Sequence, residues 1–354
     1  MTDWLLKASG RLSYHWPDYL SGRWMLLVGL LSAAILLSLV SGRYALEIQD
    51  IVQFFMAHIG WQTMDSNRYE LLETLLMEIR LPRLLTAALV GAALAVSGST
   101  YQAVFINPLV SPGLLGVLAG SSFGAALMMV LAPAWWMVQL GAIAGGLLAV
   151  VVALGIGRMF GNASTIMLVL GGIFTGALFA GLLALVKYAA DPYEQLPAII
   201  YWLMGSLGLA NMGDLALYAP LMLAAIIGLT LQGRVLDILT LGDDSATALG
   251  LSVSRVRLML ILLATLASAL TVSLVGMIGW VGLLAPHIAR LLVGPLNRQL
   301  IPASALVGAI FMLFADVLAR SLMAAELPIG VVTELIGLPV FLLVLRNVRK
   351  GWNT

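Results

Sequence analysis

The stretch MEIRLPRLLTAALVGAALAVSG, Met77 to Gly98, decides how this chain is read. Two arginines, Arg80 and Arg83, bracket Leu81 and Pro82 at the mouth of an apolar run rich in small residues. The run is long enough to cross a hydrocarbon layer of about 30 Å as a helix. Cations at such a mouth either anchor the helix end or face something outside the membrane, so their meaning depends on which side they occupy.

Working outward, the whole chain has the same character. Of its 354 residues 61% are hydrophobic and only 10% charged, too few to cover the surface of a soluble protein of this size. Repeated apolar runs predict ten transmembrane helices, at 24–44, 83–105, 114–132, 136–157, 165–187, 214–233, 257–277, 279–293, 300–320 and 331–346. The expected fold class is an all-α polytopic membrane protein. It has a head over 1–23, a ten-helix domain over 24–346 and a tail over 347–354. The head has no cleavage site after a short apolar core, so the first span reads as a retained anchor. The short Gly-broken segment 195–210 reads as an interfacial or re-entrant helix.

Charge sets the sides. Lys7, Arg11 and Arg23 in the head, and Arg346, Arg349 and Lys350 at the tail, put both termini in the cytoplasm by the positive-inside rule. Same-side termini require an even number of spans. Of the 18 Lys and Arg, only Arg43, Arg68, Arg80, Arg83, Lys187 and Arg320 then fall outside. Three of those, Arg80, Arg83 and Arg320, stand at outer helix mouths. They read either as helix-end anchors or as a cationic docking surface for an acidic partner.

The remaining chemistry is sparse. With no cysteine, thiol catalysis and cysteine-held metals are excluded. The three histidines are scattered, no metal site is expected, and no P-loop is present. Near-neutral net charge gives no sign of nucleic acid. Asp316 is the one clear intramembrane carboxylate, and Arg320 four residues on is its natural partner. That scarcity argues against a proton-coupled carrier, although a secondary transporter or channel remains the alternative class. A membrane enzyme would need a catalytic cluster that the sequence lacks. Small residues recur at Ala87, Gly91, Ala95 and Ser99, and again at Gly172, Gly176 and Ala180, a spacing that lets helices approach closely.

One inner loop stands apart. In LTLGDDSATALGLSVSRVR, Asp243 or Asp244 can cap a short helix that runs to Leu249, with Gly250 closing it and Ser252 or Ser254 starting the next. Ala246 and Leu249 are expected on its exposed face, as a knob for a cytoplasmic partner.

RLPRLLTAALVGAALAVSG, QAVFINPLVSPGLLGV, LGDDSATALGLSVSRVR, GMIGWVGLLAPHIARLLVG, ADVLAR and ELPIGVVTELIGLPVFLLVLR, in this order, closely resemble the permease subunits of type II ABC importers. That family moves ferric siderophores, haem, vitamin B12 and, in some members, oxyanions such as molybdate. The resemblance implies a translocation path formed with a second permease subunit, as a homodimer or close heterodimer in the lipid of the bacterial inner membrane. It implies two ATPase subunits that bind ATP and Mg, so that this chain holds no cofactor, and a periplasmic binding protein. Arg80, Arg83 and Arg320 match the arginines that receive the binding protein. Gly242, Asp243, Asp244, Ala246, Leu249 and Gly250 match the coupling helix, about 242–250. Asn107, Pro108 and Leu109 match a cytoplasmic gate, with Ser164 and Thr165 as its second element.

Overall fold

In lipid a backbone amide has no water to bond, so an apolar span must satisfy its own hydrogen bonds as a helix. The computed structural model follows this rule. It describes residues 16–42, 44, 46–132, 134–159 and 165–350, and every regular element among them is helical.

All ten expected spans are occupied by helices. They are α1 (Trp16–Val40), α4 (Leu81–Val104), α5 (Val117–Leu131), α6 (Trp135–Met159), α7 (Thr165–Ala189), α9 (Met212–Leu231), α12 (Val253–Val275), α13 (Val281–Val293), α14 (Asn297–Ser321) and α15 (Ile329–Lys350). Between them lie shorter helices: α2 (Ile48–His58), α3 (Ser66–Glu73), α8 (Gln195–Leu203), α10 (Gly233–Leu239) and α11 (Asp243–Ala248). Among the described residues seven helices are long and apolar enough to cross a membrane, while α5, α13 and the apolar part of α15 are shorter.

The segment quoted first extends further than its composition suggests. Thr74–Arg80 is a π-helical turn that joins α3 to α4 in one rod, Ser66–Val104, of 39 residues. At 1.5 Å per residue that is about 58 Å, nearly twice the hydrocarbon thickness, so the rod projects well beyond a span starting at 83. Its α4 part is buried over almost its full length, with α14, α12, α13 and α9 packed around it. The small residues make this possible. A Cβ on Gly91 would lie 2.2 Å from the Gly308 carbonyl oxygen of α14, and one on Gly98 1.8 Å from that of Gly282 of α13. Ser99 Oγ donates to Ser304 Oγ at 2.8 Å in the same seam. On α7, Gly172 meets the Leu114 carbonyl in the same way, with 2.3 Å left for a Cβ.

α13 has only 13 residues, about 20 Å, and the chain between α12 and α13, residues 276–280, is not helical. Gly276 and Trp280 both have positive φ there. Around this segment neighbouring backbones are joined: Ser206 N donates to the Val275 carbonyl at the end of α12, and Gly330 N to the Met204 carbonyl. The latter bond ties the end of α8 to the start of α15. The 195–210 segment is thus a nine-residue helix followed by a turn at Gly205, stitched into the bundle.

Candidate functional site

Two places carry the residues singled out from sequence, and a third, a cavity, was not foreseen. The first is the end of the bundle where α1 stops and α4 starts. A helix leaves its last carbonyls without intrahelical donors and carries partial negative charge there. Arg80 and Arg320 supply both missing items to α1. Arg80 Nη1 donates to the Leu39 and Val40 carbonyls and Nη2 to that of Tyr44. Arg320 Nη1 donates to the Ser41 carbonyl at 2.9 Å, and its Nη2 to the Ser38 carbonyl and hydroxyl at 3.0 and 3.1 Å. Gly42 lies against both guanidinium groups; a Cβ there would be 3.0 Å from Arg80 Nη2.

Arg83 points the other way. Its Nε donates to Asp316 Oδ1 at 2.8 Å and its Nη1 to both oxygens of Glu326 at 2.9 and 3.1 Å. Asp316, fully buried, also faces Arg320 Nε at 3.2 Å, an ion contact without hydrogen-bond alignment. This is the pairing expected from the four-residue spacing. Arg80, Arg83 and Arg320, read from sequence either as helix-end anchors or as a docking surface, are only 5%, 8% and 8% exposed, and each guanidinium is engaged within the chain. Three cations against two carboxylates still leave the cluster positive. Glu326, half-exposed, was not foreseen; no local spacing connects it to Arg83, 243 residues away.

At the opposite end of α12 lies α11. Gly242 (φ +96°) precedes it and Gly250 (φ +86°) follows it, both in the region that favours glycine. Gly250 N donates to the Thr247 carbonyl and Leu251 N to that of Ala246, the paired bonds of a Schellman closure. The aspartates do not cap as expected. Gly242 is the N-cap residue, and Asp243 forms a bidentate pair with Arg257 of α12 at 2.6 and 3.1 Å. Ala246 is also corrected. It is completely buried, packed in the cluster of Leu236, Leu239 and Leu260, whereas Leu249 and Leu241 are more than 60% exposed and Asp244 is exposed. The turn Asn107–Pro108–Leu109 beyond α4 is exposed too, held by Leu109 N donating to Asn107 Oδ1 at 2.9 Å. Ser164 lies outside the described residues, and Thr165 is the first residue of α7.

The third place is a cavity of about 560 Å³ between α5, α7, α8 and α15. Its walls are mostly apolar, with Leu118, Leu183 and Met204, but Ser122, Lys187 and Glu334 also line it. Lys187 and Glu334 were missed because they are 147 positions apart and each sits at a helix end, where a charge reads as an anchor.

Comparison with known proteins agrees with this architecture. The chain is 37% identical over 337 residues to the molybdate import system permease protein MolB of Haemophilus influenzae, covering 95% of this chain and 97% of that one. It is 41% identical over 274 residues to the vitamin B12 import system permease protein BtuC of Vibrio parahaemolyticus, covering 76% and 82%. It matches a solved chain described as a metal-chelate type ABC transporter in an inward-facing conformation, with a TM-score of 0.81, 35% identity, and 91% and 98% of the two chains covered. The description of the FecCD transport family fits residues 30–347. The chain therefore belongs to the FecCD transport family, as a multi-span permease of the ABC importer type.

Proposed function

We propose that the chain forms one half of a translocation path for a metal-containing organic complex, a ferric siderophore, haem or vitamin B12. The cavity carries this reading. At about 560 Å³, with apolar walls and one group of each charge, it has the size and lining of a site for a drug-sized ligand. A weakly polar lumen also lets cargo leave, since tight contacts would slow release. A second reading, a small oxyanion, is favoured by the near full-length match to a molybdate permease.

In this reading a second permease subunit, the same chain or a close relative, closes the path. Two separate ATPase subunits bind ATP and Mg and seat on α11, whose exposed Leu249 and Leu241 stand clear of the bundle. The turn at Asn107–Leu109, with Ser164 and Thr165, gates the inner end. A periplasmic binding protein docks at the opposite end, where the net positive cluster of Arg80, Arg83 and Arg320 favours an acidic partner. Both termini then face the cytoplasm of a bacterial inner membrane.

The test is uptake by the reconstituted importer of a panel: a ferric siderophore, haem, cobalamin and molybdate. The reading expects one of the first three to be carried and Glu334→Gln or Lys187→Gln to change its rate. Uptake of molybdate alone would select the oxyanion reading.

A further inference from the structure

α12 and α6 share a seam, and beside it the surface is not flat. Arg255, Leu258, Leu262 and Leu266, at helical spacing on α12, line an open groove of about 600 Å³ with Leu147 of α6. Arg255 is the only polar side chain among the described residues that line it. Arg255 is exposed, and its guanidinium has no hydrogen bond or ion pair among the described residues. Two residues on, Arg257 is fully engaged by Asp243. The unpaired cation is the third residue of the spanning helix, at the membrane face, and the groove runs inward from it. From Arg255 to Leu266 the rise is about 16 Å, roughly half of the ~30 Å hydrocarbon core.

We infer that this groove is a binding site for an anionic phospholipid, whose phosphate pairs with Arg255 and whose acyl chain lies along Leu258, Leu262 and Leu266. Charge complementarity selects the occupant. An apolar groove alone accepts any lipid tail, but an unpaired cation at its mouth prefers a headgroup with net negative charge to a zwitterionic one, whose amine offsets the phosphate. The groove depth matches one leaflet, so the two contacts are made by one molecule.

The full-length chain, delipidated in neutral detergent, is titrated with palmitoyl-oleoyl phosphatidylglycerol or the phosphatidylcholine with the same chains, and the first bound lipid is followed by native mass spectrometry. One arginine near a membrane surface corresponds to about a fivefold preference for phosphatidylglycerol. Arg255→Gln should bring the two lipids to parity, and Leu262→Trp, which fills the groove, should weaken phosphatidylglycerol binding. Arg234→Gln, an exposed arginine on α10, should leave the preference unchanged. Because Arg255→Gln alters an exposed side chain, it remains informative if Leu262→Trp fails to fold. Parity in the unaltered chain, or a preference that survives Arg255→Gln, overturns the site. Displacement of the lipid by chain-free glycerophosphoglycerol would show a phosphate site with no acyl contact. Efficient disulfide dimerisation of Leu262→Cys, in a chain with no other cysteine, would show a second copy covering the groove. Either result also overturns the proposal.

Discussion

Arg83 Nε donates to Asp316 Oδ1 at 2.8 Å, joining the start of α4 to α14 through a carboxylate with no solvent exposure. Asp316 serves both Arg83 and Arg320, so it is the hinge of the charge cluster. Asp316→Ala should destabilise the chain by about 3–5 kcal/mol, because it leaves buried cations without their counter-charge. Thermal unfolding in detergent measures this. Adding Arg83→Ala should cost less than the sum of the two single changes, since the partners share one interaction. Additive losses would mean that the pair contributes nothing as a pair.

Arg80 closes α1 through backbone carbonyls alone. Arg80→Met keeps the stem and removes those bonds, so α1 should fray at its end. A charged donor of this kind contributes about 1.5–3 kcal/mol. Proteolysis near residues 41–47 should accelerate while the far end of the bundle is unchanged. Gly42→Leu should produce the same local opening by pushing the guanidinium aside; Gly42→Ala, with 3.0 Å to a flexible side chain, should be milder.

Glycine positions should divide sharply. Gly98→Ala places a Cβ 1.8 Å from the Gly282 carbonyl oxygen, so α4 and α13 must separate. Overpacking of this kind costs about 1–3 kcal/mol or more. At Gly181 of α7 a Cβ meets nothing within 4 Å, so Gly181→Ala should be neutral or should stabilise by up to about 1 kcal/mol through helix propensity. Unfolding temperatures of the two variants should move in opposite directions or differ by several degrees.

The pattern of what could be read from residues is physical. Helices were legible because a bilayer forces one solution on every apolar run, and Gly250 as the closing residue of α11 followed from local geometry. The Asp316–Arg320 contact was legible because four residues place both groups on one helix face. Burial of Arg80 and Arg320 was not: their acceptors include the Leu39, Val40 and Ser41 carbonyls, and backbone carbonyls leave no signature in side-chain sequence. Ala246 was assigned to the wrong face because a six-residue helix is too short to show periodicity. Glu326, Lys187 and Glu334 required tertiary placement.

The clamp of α11 should matter to coupling. Asp243→Asn or Arg257→Gln should loosen the helix without unfolding the bundle, lowering transport-coupled ATP hydrolysis several-fold. The exchange Asp243→Arg with Arg257→Asp should restore part of it. Equal loss in the single and exchanged variants would assign the effect to something other than the pair.

The central claim is that cargo moves through this chain at the expense of ATP hydrolysed by a partner seated on α11. The most direct measurement is cargo accumulation in proteoliposomes that hold the permease, its ATPase and its binding protein. One arm supplies ATP on the ATPase side; the other imposes a proton gradient without nucleotide. Accumulation should occur with ATP alone and should be lost in Leu249→Asp, which places a charge on the exposed end of α11 and leaves thermal stability unchanged. Accumulation driven by the gradient without ATP, or full ATP-driven uptake in Leu249→Asp, would contradict it.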